Sequence, residues 1–180
     1  LRKVMKLKLK KRYKILLGLF TIWLLGMLIP QNLKMPVKGA SQADYNSESF
    51  WYYPWGKSVT HKGVDIFAKE GTELQAATSG LVLYSGEIRM GGKVILILGP
   101  KWRLHYYAHL ADIDEKLGTF ISGGKKIGTV GSTGNAAGKA PHLHYSIFTL
   151  TPYPWRIDSA PQGWRKMFYL NPIDYLSSTP

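Results

Sequence analysis

The stretch KVILILGPKWRLHYYAHL, residues 93–110, decides the fold class of this chain. Two runs rich in β-branched and aromatic residues, KVILIL and WRLHYYAHL, flank a break at Gly99-Pro100. Such runs favour β-strands, and breaks containing glycine or proline favour turns. Similar runs are VDIF (64–67), LVLYSGE (81–87) and HLHYSIF (142–148). No long stretch after residue 33 shows helical periodicity. The pattern predicts a mainly β domain built on an antiparallel sheet, with an open groove for its site.

Four of the five histidines and one aspartate fall into three short motifs: HKGVD (61–65), YYAHL (106–110) and PHLHY (141–145). Residues two or four apart in an extended segment share a face, so His142 would pair with His144, and Asp65 with His61. Two imidazoles and one carboxylate are a typical ligand set for catalytic zinc, and a further histidine can then act as acid or base. The spacing predicts a mononuclear metal site. The alternative is a set of histidines that are simply packed or exposed in a tyrosine-rich sheet.

The fifth histidine, His105, and Tyr107 lie near this set in the sequence. By strand alternation both share a face with His109, which makes them candidates for the substrate groove. The alternative is that His105 is packed or exposed beside the site and that Tyr107 packs under it. Neither residue belongs to the predicted ligand set.

Several other catalytic classes are excluded because their sequence motifs are absent. The sequence contains no H-E-x-x-H, no G-x-S-x-G and no cysteine, which excludes the helical zinc-protease arrangement, the serine elbow and a thiol nucleophile. The frame of a phosphate loop that would end at Gly138-Lys139 begins on Thr133 and is followed by Ala140, so it fails as such a motif. We therefore expect no nucleotide ligand.

The positive charge is concentrated at the start of the chain. The formal net charge is +13, and the eight basic residues within the first 14 positions account for +8 of it, leaving 13 − 8 = +5 for the rest. The charge of the remaining chain therefore gives little support to a nucleic-acid partner. The apolar run ILLGLFTIWLLGMLI (15–29) follows directly, and no charge appears until Lys34. Residues 15–33 at 1.5 Å each reach about 28 Å, close to the thickness of a bilayer core.

This N-terminal pattern predicts a basic cytoplasmic terminus (1–14), a transmembrane signal anchor (15–33) and a tether (34–50). The positive-inside bias would place the remainder on the outer side of the cytoplasmic membrane as a single-pass protein. A basic segment before an apolar core also describes a cleavable signal peptide, so a cleaved and secreted form is the alternative.

The ordered motifs resemble those of a known family. H-x-G-x-D (61–65), Y-x-H-L (107–110), P-H-L-H (141–144) and the ending NPIDYL (171–176) are similar to lysostaphin- and LytM-type zinc endopeptidases, which cut the peptide part of bacterial peptidoglycan. The resemblance covers roughly residues 56–176. It implies a LytM-type zinc peptidase domain over residues 51–180, with peptidoglycan as partner and the bacterial cell envelope as its location.

Carried over by position, the resemblance makes His61, Asp65 and His144 the ligands of one Zn²⁺ per chain, and His109 and His142 the catalytic histidines. Which of the two is the base and which stabilises the oxyanion stays open. The resemblance implies a zinc metalloendopeptidase that hydrolyses stem peptides or cross-links. The alternative is a non-catalytic LytM-like module that binds or activates another murein hydrolase. Silent relatives typically lose metal ligands, which favours the enzyme.

Overall fold

Strands form where the β-branched and aromatic runs predict them. The computed structural model describes residues 10–176, and nine strands lie within that range. They are β1 (Val64–Phe67), β2 (Glu73–Gln75), β3 (Gly80–Ile88), β4 (Gly92–Gly99), β5 (Arg103–Ile113), β6 (Phe120–Ile121), β7 (Lys126–Val130), β8 (His142–Thr149) and β9 (Tyr169–Leu170).

The helices are few and mostly short. Two α-helices occur in the described residues, α1 (Lys11–Leu28) and α2 (Ile173–Leu176). The 3-10 helices are Gln42–Asp44, Gly56–Ser58, Pro100–Trp102, Gly134–Ala136, Pro154–Arg156 and Gly163–Phe168.

All strand pairs are antiparallel, as predicted. The main path through the sheet is β1-β8-β5-β4-β3-β6, with β7 pairing both β5 and β2, and β9 pairing β8. Strand β8 thus lies between β1 and β5, and its register sets Asp65 and Ala108 on either side of His144. Directly opposed residues of an antiparallel pair share a face of the sheet. Strand β8, which carries one motif, therefore brings all three sequence motifs together.

The two faces of β8 have different environments. Leu143, Tyr145 and Ile147 are fully buried in the hydrophobic core, where each large apolar side chain contributes about 1.5–3 kcal/mol to folding. His142 and His144 alternate with them and face the opposite side. One face of the sheet therefore supplies stability, and the other is free to carry polar chemistry.

A β-bulge interrupts strand β5 next to this polar face. Lys93 pairs with Leu110 and Ile95 pairs with Tyr107, so one residue of β4 opposes two residues of β5, Ala108 and His109. His109 has a positive φ of 67° and its amide donates to the carbonyl of Gly91. A left-handed residue at a bulge redirects the following side chains. Strand alternation is therefore broken at His109.

Helix α1 corrects one prediction. Its first turn contains Lys11, Arg12 and Lys14, and the helix ends at Leu28, short of residue 33. Within residues 10–176 no helix combines the length and apolar character that crossing a membrane requires. The signal anchor predicted over 15–33 is therefore not supported. The basic terminus predicted over 1–14 lies mostly outside the described residues.

The C-terminal end of α1 rests on the turn between β4 and β5. The indole Nε1 of Trp102 donates to the carbonyl of Trp23 (2.8 Å), and Lys101 Nζ donates to the carbonyl of Met27 (3.0 Å). A β-carbon at Gly26 would collide with the Trp102 ring, so a glycine is needed at this close approach.

The segment predicted as a tether, residues 34–50, packs on the domain. Val37 is fully buried and forms a bridge with Leu74 of β2. Lys34 and Lys38 donate their amides to the carbonyls of Ala77 and Glu73, at 2.8 and 3.0 Å. Because the buried Val37 and Tyr45 are separated by polar and turn-forming residues, the sequence shows no strand periodicity there.

Candidate active site

Three side chains converge at the polar face of the sheet. Asp65 Oδ1 lies 2.7 Å from His144 Nδ1 and 3.0 Å from His61 Nε2, and the two imidazole nitrogens are 3.1 Å apart. Asp65 and His144 are cross-strand partners on β1 and β8. His61 precedes β1 and reaches the same point from outside the sheet. The sequence-predicted ligand set is therefore one spatial cluster.

His61 is held in place by the chain that precedes it. Its amide and carbonyl pair with the backbone of Tyr52 and Trp51. Its ring stacks on Trp55 at 4.1 Å between centroids, and Nδ1 donates to the carbonyl of Ser49 at 3.0 Å. With Nδ1 protonated, the lone pair of Nε2 points at the cluster. The sequence motif contains none of these supporting residues.

The donor set fits a zinc ion. A tetrahedral ion with bonds of about 2.0–2.1 Å places neighbouring ligand atoms about 3.3–3.4 Å apart. The observed separations of 2.7–3.1 Å are close to that spacing. His144 Nε2 lies 3.0 Å from Ser146 Oγ, a contact that leaves Nδ1 as the ligating atom. Two nitrogens and one carboxylate oxygen therefore lie close enough together to bind one ion.

The electrostatics of the cluster favour an ionised Asp65 and a neutral His144. Burial by itself raises the pKa of Asp65, but the close contacts of its Oδ1 with the imidazole nitrogens of His144 and His61 outweigh it and hold the pKa below its usual range. Burial lowers the pKa of His144, and its hydrogen bond to Asp65 offsets only part of that shift. Ligands of a metal ion must be deprotonated, which is the state this environment stabilises.

Two further histidines face the cluster. His142 Nδ1 donates to the carbonyl of Ala140 at 2.7 Å, and His109 Nδ1 donates to the carbonyl of Thr133 at 2.9 Å. Their rings are 5.1 Å apart between centroids, and His142 Nε2 lies 4.0 Å from Asp65 Oδ2. Burial and the nearby His144 lower the pKa of His109 to about 4, so this ring is neutral near pH 7. Each side chain keeps its Nε2 available for proton transfer.

The two groove candidates, His105 and Tyr107, do not line the groove. Both are 0% exposed and point into the core. His105 contacts Tyr145 Oη through Nδ1 (2.7 Å) and Gln31 through Nε2 (2.8 Å). Tyr107 accepts the amide of Ala77 at 2.9 Å, so it packs under the site. The correction follows from the bulge, because it turns His109 to the opposite face from His105 and Tyr107.

Tyr106, and not the predicted Tyr107, lies beside the ligand set. It pairs with Ser146 across β5 and β8, and its ring meets that of His144 edge-on at 6.3 Å. Burial raises its pKa to about 12, so the phenol stays protonated and can donate a hydrogen bond. Tyr106 could have been identified only from the register in which β5 pairs with β8, and the sequence alone does not give that register.

Gly63 lets the motifs approach each other. A β-carbon at this position would collide with the carbonyl of Tyr145 and the Ser146 hydroxyl, and would lie 2.9 Å from His144 Cε1. Since one of these atoms is backbone, β1 or His144 would have to shift. The glycine of H-x-G-x-D is therefore required by packing behind the ligand set.

We expect His105 to make the fold acid-sensitive. Burial and the charge of Arg103 lower its folded-state pKa to about 3, against 6.5 for the free side chain. The unfolded chain then binds the extra proton, so this stability is present above pH 6.5 and is lost as the pH falls toward 3. Between pH 7 and pH 5 the loss is about 2 kcal/mol in the free energy of unfolding.

Urea denaturation of the chelator-treated protein at pH 7 and pH 5 measures this loss. In His105→Gln the decrease between the two pH values should be smaller by about the same 2 kcal/mol, whatever the stability of the variant at pH 7. Equal decreases in the two proteins would show that His105 is not the responsible group.

Comparisons with known proteins agree with this geometry. The sequence model of Peptidase family M23 matches residues 59–153, more than half of the chain. An L-Ala–D-Glu endopeptidase of Bacillus subtilis is 35% identical over 130 residues, covering 63% of this chain and 40% of that protein. The glycyl-glycine endopeptidase ALE-1 of Staphylococcus capitis is 34% identical over 100 residues, covering 54% and 27%.

A solved structure shares the fold. The catalytic domain of lysostaphin from Staphylococcus simulans superimposes with a TM-score of 0.61 at 27% sequence identity, covering 76% of this chain and 95% of that domain. The chain spans less than half the length of the two curated relatives. The similarity therefore concerns the domain that carries the histidine cluster.

Proposed function

Because this chain belongs to peptidase family M23, we propose that it is a zinc-dependent endopeptidase that hydrolyses peptide bonds in the stem peptides or cross-links of bacterial peptidoglycan. The observation that carries the proposal is the convergence of His61, Asp65 and His144 donor atoms within 3.1 Å of one another. The substrate places the site of action at the cell envelope, on the wall side.

His61, Asp65 and His144 would hold the zinc ion. Zinc supplies Lewis-acid polarisation of a carbonyl and lowers the pKa of water to about 7. The Nδ1 hydrogen bonds of His109 and His142 to backbone carbonyls fix both rings, so that each presents Nε2 to the groove. A neutral imidazole accepts a proton, which fits His109, and a second imidazole can donate to the oxyanion or the leaving amine. Tyr106 adds a protonated phenol beside His144.

The second candidate is a non-catalytic module that binds or activates another murein hydrolase. Such a role needs neither a metal-binding donor set nor proton-transfer groups. This chain presents the three donors together with His109 and His142, whose rings lie 5.1 Å apart. The presence of both sets supports the enzyme.

Zymography on purified peptidoglycan tests the proposal. The full chain should clear the substrate when loaded with zinc, lose that activity after chelation, and regain it when zinc is restored. Cleaved products should carry a new amino terminus. Zinc bound at one ion per chain with cross-linked and stem peptides left intact would contradict the enzyme and favour the non-catalytic module.

A further inference from the structure

The groove around the cluster is strongly basic. Trp55 lines four adjoining cavities, and three of them, of about 540, 440 and 240 Å³, contain basic side chains. Their basic lining residues are Lys57, Lys62, Arg89, Lys139 and Arg165. Among the described residues that line these cavities, Asp65 is the one acidic side chain, and it belongs to the proposed ligand set. The groove therefore carries an excess of positive charge that the protein itself does not neutralise.

Other lysines of the chain do have acidic partners. Five lysines form salt bridges with acidic side chains in the described part of the chain, and they are Lys38, Lys93, Lys125, Lys126 and Lys166. None of these five lines the three cavities. Lys166 is paired with Asp158, whereas its neighbour Arg165 is directed into the groove without a carboxylate. In the described part of the chain none of the five groove cations forms a salt bridge, and Lys62 and Arg165 instead lie over the rings of Trp51 and Trp164.

Lys62 and Arg165, together with Lys57, share a cavity with two of the proposed ligands. Both line the 440 Å³ cavity that also contains His61 and His144. Lys62 Nζ is positioned by the carbonyls of Ser58 and Thr60, at 2.8 and 3.3 Å. Two like charges held in one cleft repel each other unless an anion lies between them. An arginine and a lysine together are a typical carboxylate-binding pair.

We propose that Lys62 and Arg165 bind a free carboxylate of the substrate, so that the site prefers stem peptides carrying such a group over neutral glycine bridges. The inference rests on the proposed function and specifies its substrate class. A glutamate residue within a stem peptide keeps one carboxyl group outside the peptide bonds, and an oligoglycine bridge has none. Charge complementarity in a groove discriminates between such substrates through binding.

The test compares one substrate in two charge states. Soluble cross-linked stem-peptide dimers are divided, and half are amidated at their carboxyl groups; a pentaglycine-bridged dimer is the third substrate. The zinc-loaded full chain should hydrolyse the free acid with a kcat/KM about tenfold or more above that of the amide, the effect expected for one charge-assisted hydrogen bond. The difference should appear mainly in KM.

Variants assign the discrimination to the pair. Lys62 also holds two backbone carbonyls, so Arg165→Gln is the cleaner change. Arg165→Gln should bring the ratio of kcat/KM for the free acid to kcat/KM for the amide close to one. Arg165→Lys should keep most of the preference for the acid. The control is Lys116→Gln, an exposed lysine outside the three cavities, which should leave the ratio unchanged. Equal hydrolysis of acid and amide, or an unchanged ratio in Arg165→Gln, would overturn the inference.

Failure of the proposed endopeptidase function can be distinguished from failure of the carboxylate-binding inference. If none of the three substrates is hydrolysed, the endopeptidase proposal is wrong. Calorimetric binding of the acid and the amide to the same zinc-loaded chain still decides the carboxylate question. Binding of the acid about tenfold tighter supports the pair, and equal affinities refute it.

Discussion

Replacing His144 by alanine is expected to remove the bound zinc together with hydrolytic activity. His144 Nδ1 lies 2.7 Å from Asp65 Oδ1 and 3.1 Å from His61 Nε2, so its loss leaves only those two donors at the site. With one of three protein ligands gone, the site loses the tetrahedral arrangement that catalytic zinc requires. We expect zinc content after dialysis to fall from one ion per chain to near zero, and activity to fall by at least a thousandfold.

His105→Gln is the matched control for this experiment. His105 is also a buried histidine, but it contacts Tyr145 and Gln31 in the core and not the ligand set. Its replacement should leave zinc content at one ion per chain, measured by elemental analysis of the folded protein at pH 7. Retention of stoichiometric zinc by His144→Ala would contradict the assignment of His144 as a ligand.

Replacing His109 should separate metal binding from turnover. Its Nδ1 is bound to the carbonyl of Thr133 and its ring centroid lies 6.1 Å from that of His144, so it faces the ligand set without belonging to it. Loss of a group that transfers protons typically lowers the rate by about 10²–10⁴-fold. We expect His109→Ala to keep zinc and to lose kcat by that factor.

His109→Asn guards against a purely structural effect. His109 has a φ of 67°, a backbone conformation that asparagine adopts more readily than alanine. Both variants should bind zinc with unchanged stoichiometry and show the loss in kcat with little change in KM. Activity within threefold of the wild type in His109→Asn would rule out an essential proton-transfer role.

The fold was largely predictable from local sequence. The five runs rich in β-branched and aromatic residues became β1, β3, β4, β5 and β8, because their alternation matches a sheet with one buried face. The short strands β2, β6 and β9 have two or three residues each, too few for any periodicity to emerge. Helix α1 follows the apolar run, but its basic first turn and its end at Leu28 do not match the predicted anchor.

The proposed ligands were predictable from the sequence, but the residues that surround them were less so. The family resemblance grouped His61, Asp65 and His144, and pairing of β1 with β8 brings Asp65 and His144 together in register. The face assigned to His105 and Tyr107 was wrong, because a one-residue bulge at Ala108 and His109 depends on how β4 and β5 pair. Likewise, the contacts of Ser49 and Trp55 with His61 come from tertiary folding alone.

The location of His61 outside the sheet has a consequence for the whole chain. His61 is fastened to the arm formed by residues 49–55, while Asp65 and His144 belong to paired strands. An ion shared among them would join positions 61 and 144 and close a long loop, as a disulfide does in other proteins. The chain has no cysteine with which to form one. Metal uptake would thus clamp the arm and the sheet together, and stability would rise with the concentration of free zinc.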